Sequence, residues 1–384
     1  MPASETLARV MPILGDFGIT RVARHTGLDN IGIPVWCAYA PNSRSIVVAQ
    51  GKGLSDDDAK ASAVMEALER AVAGSPAVET VRATAHALRA SKHQVMPLDC
   101  LIGVGKADIG AAEEIEWACA EELLSGTPVY VPVDAAILDR TRNCRFWISS
   151  DGLASGNILE EAVLHGVLER IERDAHVLWQ IGSDQARFSR CVDPEAFDDP
   201  SLDDLVRRIE AAGLVLRLFD ITSDIAIPCF TALIGPVAVL SDGAIRFVEV
   251  TGGSGAHPSA VKAAVRAVTE AAQSRLTYIS GARDDVSCET FHMPLPRQTR
   301  LAFSAVPKVL ETSISSVPRS LSQNLERTLA ALRCTGIDLV AALPLSDAAL
   351  PFSVVKIFIP ALENPDGARA RRFGSRALSK ALMV

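Results

Sequence analysis

Apolar and polar positions along the 384-residue chain fall into a unit that occurs three times: short apolar, β-prone runs, a glycine-rich connection, then a helical period. In the first unit residues 35–40 and 45–50 predict two strands, joined by the turn sequence Pro41-Asn42-Ser43-Arg44. The connection Gly51-Lys52-Gly53-Leu54-Ser55 leads into a helix over 56–73, with Ser55 as its N-cap. The second unit predicts strands at 129–133 and 145–149, a connection over 150–156 and a helix over 157–179. The third predicts strands at 229–234, 237–240 and 245–250, a connection over 251–256 and a helix over 258–279, where Pro258 suits a first helical turn.

The stretches between the units read as inserts. A helix is predicted over 81–91 with a short β-like stretch after it, then a helix over 201–212 and a strand over 214–219. The last part adds a helix over 321–334 and strands near 337–343 and 354–359. Residues 294–318 carry the least pattern and are expected to form a mobile loop. Strand pairs joined by short turns favour antiparallel or mixed sheets over a doubly wound parallel one, so the class is α+β. One domain spanning 1–384 is expected, with its motifs concentrated in 15–285 and a less patterned part over 286–384.

The three long helices carry carboxylates on lines that should be apolar. In the first, Ser62, Glu66 and Glu69 stand at i, i+4 and i+7 and share a face. In the second, Asn157, Glu161, His165, Glu169 and Glu172 fall within about a third of a turn at roughly 100° per residue. Arg173 and Asp174 follow them. In the third, Arg266, Glu270 and Gln273 share a face. A solvated polar face explains any one such helix. It explains the set less well, because lysine is scarce on these lines and the first and third helices are small and apolar around most of their circumference. Clustered, poorly solvated glutamates need positive charge, and Mg²⁺ prefers carboxylate, phosphate and water oxygens. Arg173 and Arg266 suit phosphate, and each helix begins just after a glycine-containing turn, where free N–H groups favour an anion. The outline is a Mg²⁺–nucleotide site.

Familiar nucleotide motifs do not account for it. No GxxxxGK[ST] occurs, and no GxGxxG follows a strand to open a helix. His165 and His176 lie about three helical turns apart, too far to share a metal, and read as ordinary helix residues. Candidates for the base include His257 and Asp174, though each reads first as structural, so the sequence assigns no catalytic base.

Composition narrows the class further. The formal net charge is −8 and no long basic run occurs, which argues against nucleic-acid binding. Hydrophobic residues make up 48%, enough for a sizeable core. Glu5 and Asp16 interrupt the apolar start, and no later run has the length of a membrane span, so a cytoplasmic protein is expected. The eight cysteines are scattered with no CxxC pair, which reads as reduced thiols rather than a disulfide framework or zinc site.

Taken in order, Ser62-x-x-x-Glu66-x-x-Glu69-Arg70, Asn157-x-x-x-Glu161, Glu169-x-x-Glu172-Arg173-Asp174 and Arg266-x-x-x-Glu270 resemble the signature of YcaO domains. The flanking text GKGLS, SDGLASGN and GSGAH is similar too, over roughly 15–285. The resemblance implies a YcaO-like fold with an ATP site in which Mg²⁺ is held by Glu66, Glu69, Glu161, Glu169, Glu172 and Glu270. It assigns Ser62, Asn157, Arg173 and Arg266 to the nucleotide. The implied chemistry is O-phosphorylation of a backbone amide in a peptide or protein substrate, for azoline formation by a Cys, Ser or Thr side chain or thioamide formation by sulfide. Azoline-forming members tend to end in a proline-rich tail, whereas no proline follows Pro365 here, and no fused domain with CxxC pairs is present. The N-terminal text, including Gly18-Ile19-Thr20-Arg21 and Thr26-Gly27-Leu28-Asp29, looks like YcaO proteins encoded beside TfuA, which implies a TfuA-like partner and thioamidation. A non-catalytic accessory protein and a different ATP-using ligase are the competing readings. A homodimer is the default from the general frequency of two-fold oligomers.

Overall fold

The structure is a computed structural model that describes residues 1–241, 243–309, 319–364 and 373–382. Residues 310–318 of the expected mobile loop lie outside the described residues.

Each long helix covers its own strands and buries its own core. The first helix, Asp56–Gly74, lies on a three-stranded antiparallel sheet of Arg21–Arg24, Val35–Tyr39 and Val48–Lys52. Its start is fixed by a capping box: Ser55 Oγ accepts from Asp58 N at 3.2 Å, and the Asp58 carboxylate accepts from Ser55 N at 3.2 Å. The third helix, Ala260–Ser280, lies on a four-stranded antiparallel sheet of Cys191–Val192, Leu214–Asp220, Cys229–Pro236 and Thr251–Ala256. The second helix, Leu159–Ile181, packs on a seven-stranded sheet through its strands Leu153–Gly156 and Ser353–Phe358. That sheet is mixed, because Gln94–Val95 pairs in parallel with Thr127–Pro132 while its other pairs are antiparallel. The class is α+β, with antiparallel and mixed sheets.

The expected glycine-rich connections need correcting. Residues 251–256 and 153–156 are strands, and Gly51 and Lys52 end one. The runs at 237–240 and 245–250 are not strands: Val237–Leu240 and Phe247–Glu249 are 3₁₀ turns. Residues 145–149 form no strand, only the isolated bridge between Phe146 and Ile102. The expected helix over 81–91 divides into a strand, Val81–Thr84, and a helix, Ala85–Ala90. Glycine lowers strand propensity, which explains the misreading at 51–52, 153–156 and 251–256. Its use here is close approach. A Cβ on Gly156 would stand 2.6 Å from Ala162 N, and one on Gly51 or Gly253 would meet the backbone of Ala63 or Ala271.

The three units close on one another. Besides its own strands, the first helix touches Leu153–Gly156 of the second unit. The second helix touches Thr251–Ala256 of the third, and the third helix touches Val48–Lys52 of the first. The carboxylate lines of the three helices are thereby brought near one another.

Candidate functional site

Five of the six glutamates form a chain of electrostatic neighbours across the three helices. Glu66 Oε1 accepts from Arg70 Nε at 3.0 Å and Nη2 at 2.7 Å. Glu69, one turn on, is buried and accepts from Ser155 Oγ at 3.1 Å. Burial holds its carboxyl well above the usual range, and the charges of Glu66 and Glu169 add to that. Glu169 accepts from Gly152 N at 3.1 Å and lies 3.4 Å from Arg173 Nη2. Burial pushes its pKa up to about 7, against the pull of Arg173 and with Asp151 and Glu172 pushing the same way. Glu172 is buried and is raised by burial and then by Glu270. Burial also acts on Glu270, but Lys52 Nζ at 2.6 Å and Arg173 outweigh it and hold Glu270 below the usual range. The pair is thus pushed in opposite directions, Glu172 toward its protonated form and Glu270 toward its ionised form. The side chain of Glu270 is still 25% exposed and that of Glu169 21%. Water reaches groups that protein largely surrounds, which is what a cleft does.

Glu161 is held differently. Its Oε2 accepts from the Asn157 backbone N at 2.9 Å and from Asn157 Nδ2 at 3.0 Å. Asn157 Oδ1 in turn accepts from Thr6 Oγ1 at 2.9 Å, so the N-terminal helix Ala3–Val10 fixes the amide. Ser62 stands exposed one turn before Glu66.

The two arginines are incompletely paired. Arg266 Nη2 donates to His165 Nε2 at 2.9 Å, but its buried Nε has no hydrogen-bond partner among the described residues. Arg173 Nε is likewise buried without one, 3.5 Å from Asp151 Oδ1, and Asp151 Oδ2 also lacks one. His165 is therefore no ordinary helix residue. His165 is exposed at the surface, yet its crowded surroundings and the charges of Arg266 and Lys52 lower its pKa, and its Nε2 accepts from Arg266. Burial and then Lys262 and Arg266 take His257 down to about 4, and its Nδ1 accepts from Ser259 N at 2.8 Å. Asp174 does not suit a base: it is 0% exposed and accepts from Glu363 N, Arg376 Nε and Arg376 Nη2, all at 2.9 Å.

No three His, Cys, Asp or Glu side chains among the described residues converge as a ready-made metal centre. Mg²⁺ does not require one, since it is commonly held by one or two carboxylates with phosphate oxygens and waters. Carboxylates short of positive charge beside guanidinium nitrogens short of acceptors fit such a metal with its phosphates.

Sequence reasoning passed over Lys52, Asp151, Ser155 and Lys356. Lys52 reads in the sequence only as part of the connection Gly51-Lys52-Gly53-Leu54-Ser55. Lys356 left a signal, one cation in the otherwise apolar strand SVVKIF. Lys356 Nζ is buried and donates to Ser149 O at 2.6 Å and Asp151 O at 2.8 Å.

Fold and cleft together define an α+β protein with an acidic, arginine-lined cleft. Residues 50–363 match the family described as YcaO cyclodehydratase, ATP- and Mg²⁺-binding, and the chain belongs to the YcaO family. That membership makes it an ATP-dependent peptide-modifying enzyme that uses Mg²⁺. A Rhizobium leguminosarum bv. trifolii protein described as an uncharacterized protein in the tfuA 3′ region is 38% identical, covering 98% of this chain and 91% of its own length. A Methanothermobacter thermautotrophicus relative is 35% identical over 94% of both chains. Among solved structures, YcaO from Methanopyrus kandleri bound with AMPPCP and Mg²⁺ has a TM-score of 0.75 at 21% identity, covering 98% of this chain and 95% of that one. A heterocyclase in complex with substrate and cofactor has a TM-score of 0.77 at 20% identity. It aligns with 95% of this chain, which spans 52% of the heterocyclase's length. No helix among the described residues is long and apolar enough to cross a membrane.

Proposed function

We propose that the cleft binds Mg²⁺ and ATP and activates a backbone amide of a peptide or protein substrate, for thioamide formation in preference to azoline formation. Glu66, Glu69, Glu161, Glu169, Glu172 and Glu270 hold the metal, and Ser62, Asn157, Arg173 and Arg266 hold the nucleotide. The observation that carries this reading is the mismatch of charge. Glu69, Glu169 and Glu172 are held in the protonated direction by burial, while Nε of Arg173 and of Arg266 is buried with no acceptor among the described residues. Cations and phosphate oxygens would complete both.

Bound there, Mg²⁺ and ATP supply the phosphoryl group that turns the amide oxygen into a leaving group. The chain's own residues do the rest. Lys52 keeps Glu270 ionised for a cation. Neutral His165 orients Arg266. Thr6 fixes the Asn157 amide, so that Asn157 presents Nδ2 to Glu161.

Thioamide formation is favoured by the chain's own text, whose N-terminal segment resembles TfuA-associated proteins. The Rhizobium relative from the tfuA 3′ region supports a TfuA-like partner. One domain over 1–384, a cytoplasmic location and a homodimer belong to the same reading. The acidic net charge of −8 leaves nucleic acid out of it.

The test is calorimetric titration of ATP with Mg²⁺ into the parent and into Glu66→Gln. Binding in the parent that is lost in the folded variant supports the cage, and absence of binding in the parent refutes it. Mass spectrometry of a co-expressed substrate peptide then separates oxygen-for-sulfur exchange from loss of water.

A further inference from the structure

Lys356 lies in the strand Ser353–Phe358 among Val354, Val355, Ile357 and Phe358, and is 5% exposed. Burying an ammonium is costly unless its donors and charge are met. Its donors meet two main-chain carbonyls, those of Ser149 and Asp151. Burial lowers its pKa to about 8, and the carboxylates of Asp151 and Glu169 oppose that fall. The ammonium sits where two carbonyl oxygens of one turn converge, as a built-in cation.

The same strand holds that turn from the other side. Ile357 N donates to Gly152 O at 2.7 Å. Further along the ladder Lys356 faces Leu153 and Val354 faces Ser155. The rail held in this way delivers donors to carboxylates of two different helices. Gly152 N reaches Glu169 Oε2 of the second helix, and Ser155 Oγ reaches Glu69 Oε2 of the first, each at 3.1 Å. A strand about 200 residues downstream in sequence therefore sets where two cage carboxylates stand.

We infer that Lys356 is a positioning residue of the carboxylate cage: its two hydrogen bonds lock the 149–152 turn, and the locked turn fixes Glu169 relative to Glu69. The inference rests on the metal–nucleotide reading above. Removing the ammonium leaves two buried carbonyls without donors and lets the turn relax away from Glu169. A cavity of about 40 Å³ borders Lys356 and is also lined by Ser149, Asp151, Arg170 and Asn364. A truncated side chain would open into it, leaving room for a small amine.

The experiment uses the full chain. Lys356→Ala is compared with the parent by calorimetric titration of ATP at a series of Mg²⁺ concentrations, and by amide hydrogen exchange over 149–153. The Mg²⁺ needed for half-maximal ATP binding is expected to rise about tenfold or more, as when partners of metal ligands are removed. Exchange over 149–153 should quicken. Ethylammonium should restore most of the Mg²⁺ response, and acetonitrile, which has no hydrogen-bond donor, should not. An unchanged Mg²⁺ requirement overturns the inference, as does equal rescue by acetonitrile, which would mean lost packing alone. Should the alanine variant fail to fold, Lys356→Met keeps the stem volume without the donors, and an unchanged Mg²⁺ requirement there is equally fatal. A parent that binds no ATP defeats the metal–nucleotide reading. The exchange arm then decides separately whether Lys356 pins the turn, with unchanged exchange counting against it.

Discussion

Arg173 and Asp174 are neighbours on one helix and stand in opposite electrostatic surroundings. Asp174 is fully buried, and every strong demand it makes is met: Arg376 gives it two hydrogen bonds and Glu363 N a third. Arg376 also binds Asp224, and the Glu363 carboxylate accepts from Gly374 N and Ala377 N at the start of the helix Ser375–Leu382. This clamp is complete within the chain. Arg173 faces the cleft among an excess of carboxylates: it lies 3.5 Å from Asp151, 3.4 Å from Glu169 and 3.7 Å from Glu172, its Nε has no hydrogen-bond partner among the described residues, and burial holds Glu169 and Glu172 toward protonation. Charge balanced by a partner reads as architecture, and carboxylates in excess of cations read as a place kept for something else.

Breaking the clamp should have the largest effect. Arg376→Met leaves Asp174 buried and unpaired, and should cost about 3–5 kcal/mol in urea unfolding. The affinity of the still-folded protein for ATP should hardly change. If stability is unaffected, the clamp is not architecture. The cleft should answer in the reverse manner. Glu172→Gln removes a carboxylate that burial and Glu270 already push toward protonation. It should weaken ATP binding in the presence of Mg²⁺ by roughly 10- to 100-fold, with a melting temperature equal to or above that of the parent. A large loss of stability would contradict the comparison.

The pH response sharpens it further. Glu169 has a folded-state pKa of about 7, above its unfolded value. The folded state therefore binds a proton more tightly, and this group's stabilisation is full at low pH and lost as pH rises through about 7. Without ligand, the melting temperature should fall between pH 5 and pH 8 for this reason, and in Glu169→Gln that part of the slope should vanish. Saturating Mg²⁺ with ATP should flatten the slope too, because a cation favours the ionised carboxylates. The smallest effect belongs to Thr6→Val, which removes one neutral hydrogen bond to Asn157 and should weaken ATP binding about 2- to 10-fold. Thr6→Ser should restore it.

Much of this was legible in the chain. The helices Asp56–Gly74 and Leu321–Cys334 follow from periodicity and from serine caps that stand in the sequence. The carboxylate lines were visible because glutamate stood where an apolar residue was due. The strands Leu153–Gly156 and Thr251–Ala256 were hidden because glycine, chosen there for close packing against a helix, also signals a loop. His165 reads as an ordinary helix residue in the sequence because its hydrogen-bond partner, Arg266, is 101 residues away. Lys52 and Lys356 stayed hidden for the same reason: each is defined by a partner that only the folded sheet order brings near.

In the seven-stranded sheet, Ser353–Phe358 lies between Ala341–Pro344 and Leu153–Gly156. The edge of Leu153–Gly156 that it covers stays bare until that late segment has left the ribosome. At about 5–20 residues per second, the wait from residue 1 is roughly 20–70 seconds. During synthesis the second helix can form, yet the turn that anchors Glu169 lacks the hydrogen bonds from Lys356 and Ile357. The nascent chain is thus kept from assembling its cleft until nearly all of these residues have been made. Ribosome-bound chains stalled before residue 353 should fail to retain ATP with Mg²⁺, and retention by such chains would show that the late strand is dispensable.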